Sequence, residues 1–177
     1  VRTILEPGSL AANRPALTDT EGWLKRIDAI KAPPNTTLGR RIFHHATVAL
    51  CSKCHRHSGR GNVVGPDLST LADRGDRKWL LQSILNPNFE IAPEYSPRLI
   101  TLKDGTTFTG IRLRSSTREA MRDTNGQTRS FNRDDVKSIQ ELQVSFMPSG
   151  LPLSLTDREL RDLISFLESP GAKHKPK

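Results

Sequence analysis

The chain has 177 residues, of which 34% are hydrophobic and 5% aromatic. This length is typical of one domain, or of one domain with a small insert, and argues against a multidomain enzyme. The apolar share lies below the roughly 45–50% of an ordinary globular domain, so the composition indicates a core completed by a group that is not protein. No apolar stretch approaches the roughly 20 residues that a membrane-spanning helix needs.

The charge balance is basic, because 27 Lys and Arg residues outnumber 19 Asp and Glu residues and give a formal net charge of +8. No run of five or six like charges marks a tail that binds nucleic acid. The chain opens at Val1 with neither a basic nor an apolar leader segment. We therefore expect either a processed protein or a piece of a longer polypeptide.

The first 35 residues predict an extended strap followed by a helix. Residues 1–17 lack periodicity and contain two prolines and a glycine, which favours an extended segment. Thr18 and Glu21 have the spacing of a capping box. Apolar residues then recur at helical spacing until two prolines end the run: Trp23, Leu24, Ile27 and Ile30, then Pro33 and Pro34.

Three further helices are predicted. The first begins near Thr36 or Thr37, delivers the chain to Cys51, and carries on one face Leu38, Ile42, Phe43 and Ala46. Gly39 costs this helix about 1 kcal/mol relative to alanine, which indicates close packing against another helix. The second spans about 76–85, and the third follows a capping box formed by Thr156 and Glu159. Their apolar positions are Leu80, Leu81, Ile84 and Leu85, then Leu160, Leu163, Ile164 and Leu167.

Residues 95–143 follow a different pattern. Short alternating segments flank Asp104-Gly105, a second pair flanks Asn125-Gly126, and both dipeptides are strong hairpin signals. Helices precede and follow this region. We therefore predict an α domain interrupted by an antiparallel β unit of about five short strands, with a small barrel as a candidate form.

Residues 51–55 spell C-x-x-C-H, the pattern that attaches c-type haem. Thiols at Cys51 and Cys54 share one helical turn, so each can form a thioether with a porphyrin vinyl group, and His55 then serves as the proximal iron ligand. A thioredoxin-like pair would require a βαβ context, and a zinc site would require a second Cys or His pair. Neither is present, and the motif predicts one covalent haem c.

A low-spin electron-transfer haem needs a second axial ligand, and a thioether in that place favours ferrous iron. Met147 lies in a proline-bearing loop before the last helix, whereas Met121 lies in the β unit, where a packed strand residue is the simpler interpretation. His57 is too near His55 in sequence to reach the opposite haem face easily. The other histidines are those of a helix flank and the tail: His44, His45 and His174. We predict Met147 as the distal ligand.

Several segments resemble, in order, the landmarks of class I cytochrome c: residues 39–43, 51–55, 65–68, 147–148 and 162–167. The pattern is most similar to the haem-binding domain of the Planctomycetes and Verrucomicrobia type, on residues 79–87, 91–95, 104–105 and 145–151. The resemblance implies that the Pro66 carbonyl accepts a hydrogen bond from Nδ1 of His55. It also implies that the first and last cytochrome helices cross at Gly39 and Phe43, against Leu163 and Phe166.

The fold implied by the resemblance is a mainly α cytochrome c fold with the β unit inserted. The cytochrome domain is expected to comprise residues 36–94 and 144–170, and the β unit residues 95–143. Residues 1–35 precede them as the strap and an extra helix, and residues 171–177 follow as a disordered tail.

The function implied by the resemblance is one-electron transfer, with iron cycling between ferric and ferrous under His/Met ligation. The resemblance implies that such domains are commonly the C-terminal part of larger secreted dehydrogenase-like or repeat proteins. We therefore expect a redox partner protein or a fused dehydrogenase domain, in the periplasm or secreted. A haem-based sensor or small-ligand binder, in which Met147 dissociates, is the alternative. Peroxidase activity would require a distal acid–base residue, and the sequence offers no convincing one.

Basic residues surround the haem motif. Residues 1–60 hold 10 Lys and Arg against 4 acidic residues, and the relevant ones are Arg40, Arg41, Lys53, Arg56 and Arg60. This patch favours a partner with an acidic docking face or neutralises haem propionates, although a solvated basic face explains it equally well.

The β unit loosely resembles Sm-like small barrels. Between Ser96 and Gln143 it has nine basic and six acidic residues but few aromatics, which is poor evidence for RNA binding. We expect no nucleic-acid partner, and a protein-contact or spacer role for the unit.

Overall fold

The computed structural model describes residues 13–115 and 117–171. The strap is described from Asn13 onward, and His174 and the tail beyond Gly171 lie outside the described residues. Within these ranges, no helix combines the length and apolarity that crossing a membrane requires.

Five α-helices form in the described ranges, and each lies close to a segment that the sequence predicts as helical. They are α1 (Thr20–Asp28), α2 (Thr36–Phe43), α3 (Cys51–Cys54), α4 (Arg77–Leu85) and α5 (Asp157–Leu167). Short 3₁₀ helices occupy the connections at Leu71–Asp73, Pro93–Tyr95, Arg133–Asp135 and Leu151–Ser154.

Side-chain caps explain where the helices begin. Thr156 and Glu159 form the predicted capping box of α5. At α1 the predicted box is wrong, because Asp19 is the N-cap and its carboxylate accepts the Gly22 N–H at 2.8 Å. Aspartate is at least as good an N-cap as threonine, so the N-cap lies one residue after the predicted one and the helix begins at Thr20.

The helix α2 is shorter than predicted. Asn35 caps its start, accepting the Leu38 N–H at 3.0 Å, and the helix ends at Phe43. Ala46 therefore lies beyond the helix and is exposed rather than on its buried face. The chain reaches Cys51 through a non-helical connection, so the orientation of α3 is not set by that of α2.

A two-stranded ribbon consists of β1 (Arg56–His57) and β2 (Arg60–Gly61). The β unit is a separate, open antiparallel sheet of five strands: β3 (Pro97–Leu102), β4 (Thr107–Leu113), β5 (Glu119–Arg122), β6 (Thr128–Phe131) and β7 (Val136–Glu141). Their order across the sheet is β6-β5-β4-β3-β7. Both predicted hairpins are confirmed, with Gly105 at φ +89° and Gly126 at φ +81° in their turns.

The candidate barrel is wrong, because the sheet does not close. The edge strands β6 and β7 each pair with one neighbour among the described strands, β6 with β5 and β7 with β3. Three of the four β6 side chains are exposed. The strand thus offers no apolar face with which a barrel interior could be sealed.

The helices share one hydrophobic core. Its fully buried large side chains include Trp23, Phe43, Leu81, Leu160 and Ile164. The indole N–H of Trp23 donates to the Ala16 carbonyl at 3.1 Å, and the Arg14 guanidinium pairs with Asp157 at 2.9 Å. The described part of the strap and α1 therefore pack onto the same core as α5.

Gly39 lies where α2 crosses α5. A Cβ at this position would lie 2.0 Å from the Asp162 carbonyl oxygen and 2.8 Å from Cβ of Phe166. The rings of Phe43 and Phe166 meet one turn further along, with centroids 5.7 Å apart. The close packing predicted from Gly39 is confirmed.

A buried polar pair fixes the linker between α1 and α2. The Asp162 side chain is fully buried and accepts the Asn35 N–H at 2.9 Å and an Arg161 N–H at 3.0 Å. The Arg161 guanidinium also donates to three carbonyls of the linker, those of Ile30, Ala32 and Pro33. This pair attaches the double-proline segment to α5, and no pattern in the sequence predicts it.

Candidate functional site

The motif cysteines occupy the single turn of α3. The helix begins after Leu50, whose φ of +58° is left-handed and costly for a branched side chain. It ends at Cys54 because His55 adopts extended backbone angles, φ −106° and ψ 148°. The His55 N–H still donates to the Cys51 carbonyl at 2.8 Å, so the three residues of the motif stay in one compact unit.

Both cysteines are free thiols and half-buried. Burial raises the pKa of Cys51 to about 12 and also raises the pKa of Cys54. Redox-active C-x-x-C pairs instead have lowered thiol pKa values, because the thiolate is the reactive form. The electrostatics of the turn therefore argue against a thioredoxin-like dithiol.

A zinc site is also disfavoured. In the part of the chain that the structure describes, no group of three or more His, Cys, Asp or Glu side chains is placed to hold a metal ion. Structural zinc needs four such ligands and catalytic zinc needs three. The two thiols and His55 thus do not belong to a larger ligand cluster among the described residues.

One of the two nitrogens of the His55 imidazole is engaged in a hydrogen bond. Its Nδ1 lies 3.0 Å from the carbonyl oxygen of Pro66, the contact expected from the resemblance. A carbonyl oxygen only accepts, so Nδ1 carries the hydrogen and Nε2 presents its lone pair. Burial lowers the pKa of His55, and the bond to Pro66 opposes that shift only in part. The ring is thereby kept in the neutral form that binds a metal.

Gly65 brings the backbone directly against the His55 ring. A Cβ at Gly65 would lie 2.6 Å from Cε1 and 2.9 Å from Nδ1 of His55. The Gly65 N–H donates to the Cys54 carbonyl at 2.8 Å, which holds the segment in place. Glycine is required here by close approach. The resemblance implies the role of Pro66 but not this contact.

The segment that follows Pro66 is tied to the rest of the fold. Asp67 accepts hydrogen bonds from the backbone N–H and the hydroxyl of Ser69, at 2.8 and 2.5 Å. Burial alone would raise the pKa of Asp67, but the bonds from Ser69 outweigh it and hold that pKa below its usual range. The Ser69 carbonyl accepts the Gly171 N–H at 3.0 Å, so this segment is fastened to the region after α5.

Met147 is half-buried in the loop between β7 and the 3₁₀ helix Leu151–Ser154. Its N–H donates to the Ser145 hydroxyl at 3.1 Å, and the Ser145 N–H donates to the Asn88 side chain at 2.8 Å. On the far side, the Ser154 hydroxyl donates to the Val48 carbonyl at 3.1 Å, three residues before Cys51. The loop is thus anchored on both flanks, and ligation by Met147 stays a prediction.

The other candidate ligands have ordinary roles in the fold. His45 is exposed, and its Nδ1 accepts the Thr47 N–H at 3.3 Å. His44 ends α2 and packs edge-on against Phe43, with ring centroids 4.9 Å apart. Met121 is 1% exposed in β5, in agreement with its interpretation as a packed strand residue.

His57 lies in the helical core and is 2% exposed. Its ring centroid is 4.3 Å from that of Phe166 and 5.8 Å from that of Phe43. Its Nδ1 is hydrogen-bonded to the Ser58 hydroxyl at 3.1 Å, whereas its buried Nε2 has no hydrogen-bond partner among the described residues. Burial lowers the pKa of His57. The sequence carried no signal for this core position.

The β unit contacts the loop that precedes Pro66. A guanidinium N–H of Arg122 donates to the Val63 carbonyl at 2.7 Å. Val64 is 3% exposed, and a Cβ at Gly126 would meet its side chain at 3.8 Å. This contact joins residues 59 positions apart in sequence, and no motif in the sequence predicts it.

Residues 37–101 match the family model for Cytochrome c. The matched region runs from α2 through the C-x-x-C-H motif and α4 into β3. No curated protein matches the chain. The match supports a cytochrome c domain, and with it a haem-binding electron-transfer module that implies covalently bound haem c. This class indicates electron transfer rather than catalysis.

The side chains present fit such a group. Two protonated, half-buried thiols share one helical turn, and the adjoining imidazole has Nδ1 bonded to a carbonyl and Nε2 available. Gly65 leaves no space for the ring to move toward the backbone on that side. A hydrogen bond from the other ring nitrogen to a carbonyl fixes the orientation of a ligating histidine and raises its basicity.

Proposed function

We propose that this chain is a one-electron carrier, with haem held through Cys51 and Cys54 and with His55 as the proximal ligand. When bound, haem supplies one-electron chemistry because its iron alternates between the ferric and ferrous states. The observation that carries the proposal is the 3.0 Å bond from His55 Nδ1 to Pro66 beside a turn with two free thiols.

Each residue of the site has a defined task under this proposal. Cys51 and Cys54 tether the group and keep it from dissociating. The Pro66 carbonyl orients the His55 ring and makes its Nε2 a stronger ligand for a metal. Met147 is the distal ligand, and a thioether in that position favours the ferrous state. The anchored flanks of its loop, at Asn88 and Val48, restrict how far Met147 can move away.

The exposed cations near the motif favour an acidic partner. Arg40, Arg41, Lys53 and Arg60 are all exposed, and none forms an ion pair with another described residue. An opposite charge on a partner would steer the encounter and raise its rate at low salt. We propose a redox partner protein or a fused dehydrogenase domain with an acidic docking face.

The proposed location is the periplasm or the extracellular space. Cytochrome c domains are typically extracytoplasmic, because haem attachment to thiols takes place outside the cytoplasmic membrane in bacteria. The resemblance of residues 79–87 and 145–151 to the Planctomycetes and Verrucomicrobia type supports that subgroup as part of the proposal. We propose no nucleic-acid partner.

The test is maturation of the chain in cells that attach haem to C-x-x-C-H motifs. Intact mass spectrometry should show the chain plus one haem, and the absorption spectrum should be low-spin with reversible reduction. Cys51→Ser and Cys54→Ser should each leave one thioether, and the double variant none. A wild-type chain that carries no added porphyrin mass under these conditions would overturn the proposal.

A haem-based sensor is the second candidate function. The favouring observation is that β7 ends at Glu141, six residues before Met147, so movement of the sheet would reach this loop directly. A high-spin ferric spectrum with ready carbon monoxide uptake in the ferrous form would favour the sensor. A low-spin spectrum that Met147→Ala converts to high-spin would favour the electron carrier.

A further inference from the structure

We infer that Arg122, in the β unit, is a positioning residue for the proximal histidine, because it holds the segment whose Pro66 carbonyl accepts the His55 hydrogen bond. The inference rests on the proposed function, since it assigns His55 as the iron ligand. It gives the β unit a task at the haem site in place of the protein-contact or spacer role expected from sequence.

The contact from the β unit is direct. Arg122 ends β5, is half-buried, and donates to the Val63 carbonyl at 2.7 Å. Next to it Val64 is almost fully buried, with its side chain facing the Gly126 turn of the same β hairpin. Two adjacent residues of the loop are therefore held by the β5–β6 hairpin.

The held loop continues directly to the histidine. Gly65 lies against the His55 ring, and Pro66 accepts its Nδ1–H at 3.0 Å. The helix α3 supplies its own anchors, because Asn62 N–H donates to the Ser52 carbonyl and Gly65 N–H to the Cys54 carbonyl. Arg122 adds an anchor from outside α3, so the position of the Pro66 carbonyl depends on the sheet as well as on the motif.

The expected consequence is a shift in reduction potential. A well-aligned bond from Nδ1–H to a carbonyl raises the basicity of a ligating imidazole, which favours ferric iron and lowers the potential. Release of the Val63 carbonyl lengthens or bends that bond and therefore raises the potential. Loss of a positive charge near the iron acts in the opposite direction, because it favours the more positive ferric site. The two effects have different signs and can be separated.

The matched control is Arg129, on the neighbouring strand β6. Its guanidinium lies over the Phe108 ring, 5.2 Å from the ring centroid, within the sheet. Arg129→Ala removes the same charge from the same unit but leaves the Val63 contact in place. Arg122→Lys keeps the charge and can still donate to the Val63 carbonyl.

The experiment is an optical redox titration of the haem-loaded parent, Arg122→Ala, Arg122→Lys and Arg129→Ala. We expect the midpoint potential of Arg122→Ala to lie above both the parent and Arg129→Ala, with Arg122→Lys close to the parent. A potential for Arg122→Ala equal to or below that of either the parent or Arg129→Ala would overturn the inference. Failure of the parent to bind haem would instead overturn the proposed function.

A second measurement applies if Arg122→Ala does not take up haem. Hydrogen–deuterium exchange of peptides covering residues 62–66 then compares Arg122→Ala with Arg129→Ala under the same conditions. Faster exchange in Arg122→Ala alone supports the anchor, because the Gly65 N–H is bonded to Cys54 in the parent. Equal exchange in the two variants contradicts it.

Discussion

The imidazole Nδ1 of His55 and the carbonyl oxygen of Pro66 are 3.0 Å apart, although the two residues are eleven positions apart in sequence. The β1–β2 ribbon and the loop after it turn the chain back so that residues 65 and 66 lie against the ring. This relationship fixes which nitrogen of His55 is available to a metal. It also makes the loop conformation part of the chemistry of the site.

Gly65→Ala should disrupt that relationship. The added Cβ would lie 2.6 Å from Cε1 of His55, so either the ring or the loop must move. We expect a changed Soret spectrum and a loss of stability of about 1–3 kcal/mol, the usual cost of overpacking. Val63→Ala, at a position 41% exposed and two residues away, is the control and should change neither. An unaltered spectrum and melting curve for Gly65→Ala would contradict the assigned close contact.

Gly39→Ala should destabilise the fold despite the better helix propensity of alanine. Propensity alone would stabilise an exposed helix by about 1 kcal/mol. The Cβ would instead lie 2.0 Å from the backbone carbonyl of Asp162, which cannot turn aside as a side chain can. We expect a net loss of about 1–3 kcal/mol or more in urea unfolding. Thr37→Ala, exposed in the same helix, should be neutral or slightly stabilising.

His57→Leu should stabilise the protein, because it replaces a buried side chain whose Nε2 has no partner among the described residues. An unsatisfied buried polar group costs about 1–3 kcal/mol. The gain should be measured by thermal unfolding of the haem-loaded protein. A lower melting temperature for His57→Leu than for the parent would show that the imidazole is needed in the core.

The same position should make stability depend on pH. Burial lowers the folded-state pKa of His57 below 6.5, so the unfolded chain takes up a proton more readily than the folded one. The contribution of the neutral His57 side chain to folding stability is fully present above pH 6.5. It is lost as the pH falls toward the lowered folded-state pKa of His57. The parent should therefore lose more stability than His57→Leu between pH 7 and pH 5. Parallel pH profiles of stability for the parent and His57→Leu would rule out this effect of His57.

Glu119→Gln should weaken the sheet at neutral pH. The Glu119 carboxylate is 9% exposed and accepts two Arg112 N–H groups at 2.7 and 2.8 Å. These bonds hold the pKa of Glu119 below its ordinary 4.5, so its contribution is present above that pH and is lost as the pH falls through the lowered value. We expect a loss of about 1–3 kcal/mol at pH 7 and a smaller one at pH 3.

The control for this carboxylate is Glu141→Gln, which changes a more exposed partner of Arg98, with the two groups 3.4 Å apart. Pairs of this kind contribute about 0–1 kcal/mol. Chemical unfolding at the two pH values measures both variants. Equal losses for Glu119→Gln at pH 7 and pH 3 would show that its ionisation is unimportant to the sheet.

The parts predicted correctly depend on residues close together in sequence. The turn of α3 follows from the spacing of Cys51 and Cys54, and the start of α5 follows from Thr156 and Glu159. The turns at Gly105 and Gly126 follow from dipeptides that favour left-handed backbone. The predicted N-cap of α1 is wrong although it too depends on neighbouring residues, because Thr18 and Asp19 compete for one position and both are good hydrogen-bond acceptors.

The amino-acid sequence alone thus determined the helical turn with two thiols, the adjoining histidine, the hairpins and most helix starts. Only the tertiary structure decided that the sheet stays open, that His57 enters the core, and that Arg122 holds the loop beside His55. Sheet closure, burial and the Arg122–Val63 bond each depend on which distant segments meet. The spacing of residues along the chain does not predict these contacts between distant segments, because they are set by the packing of the whole chain.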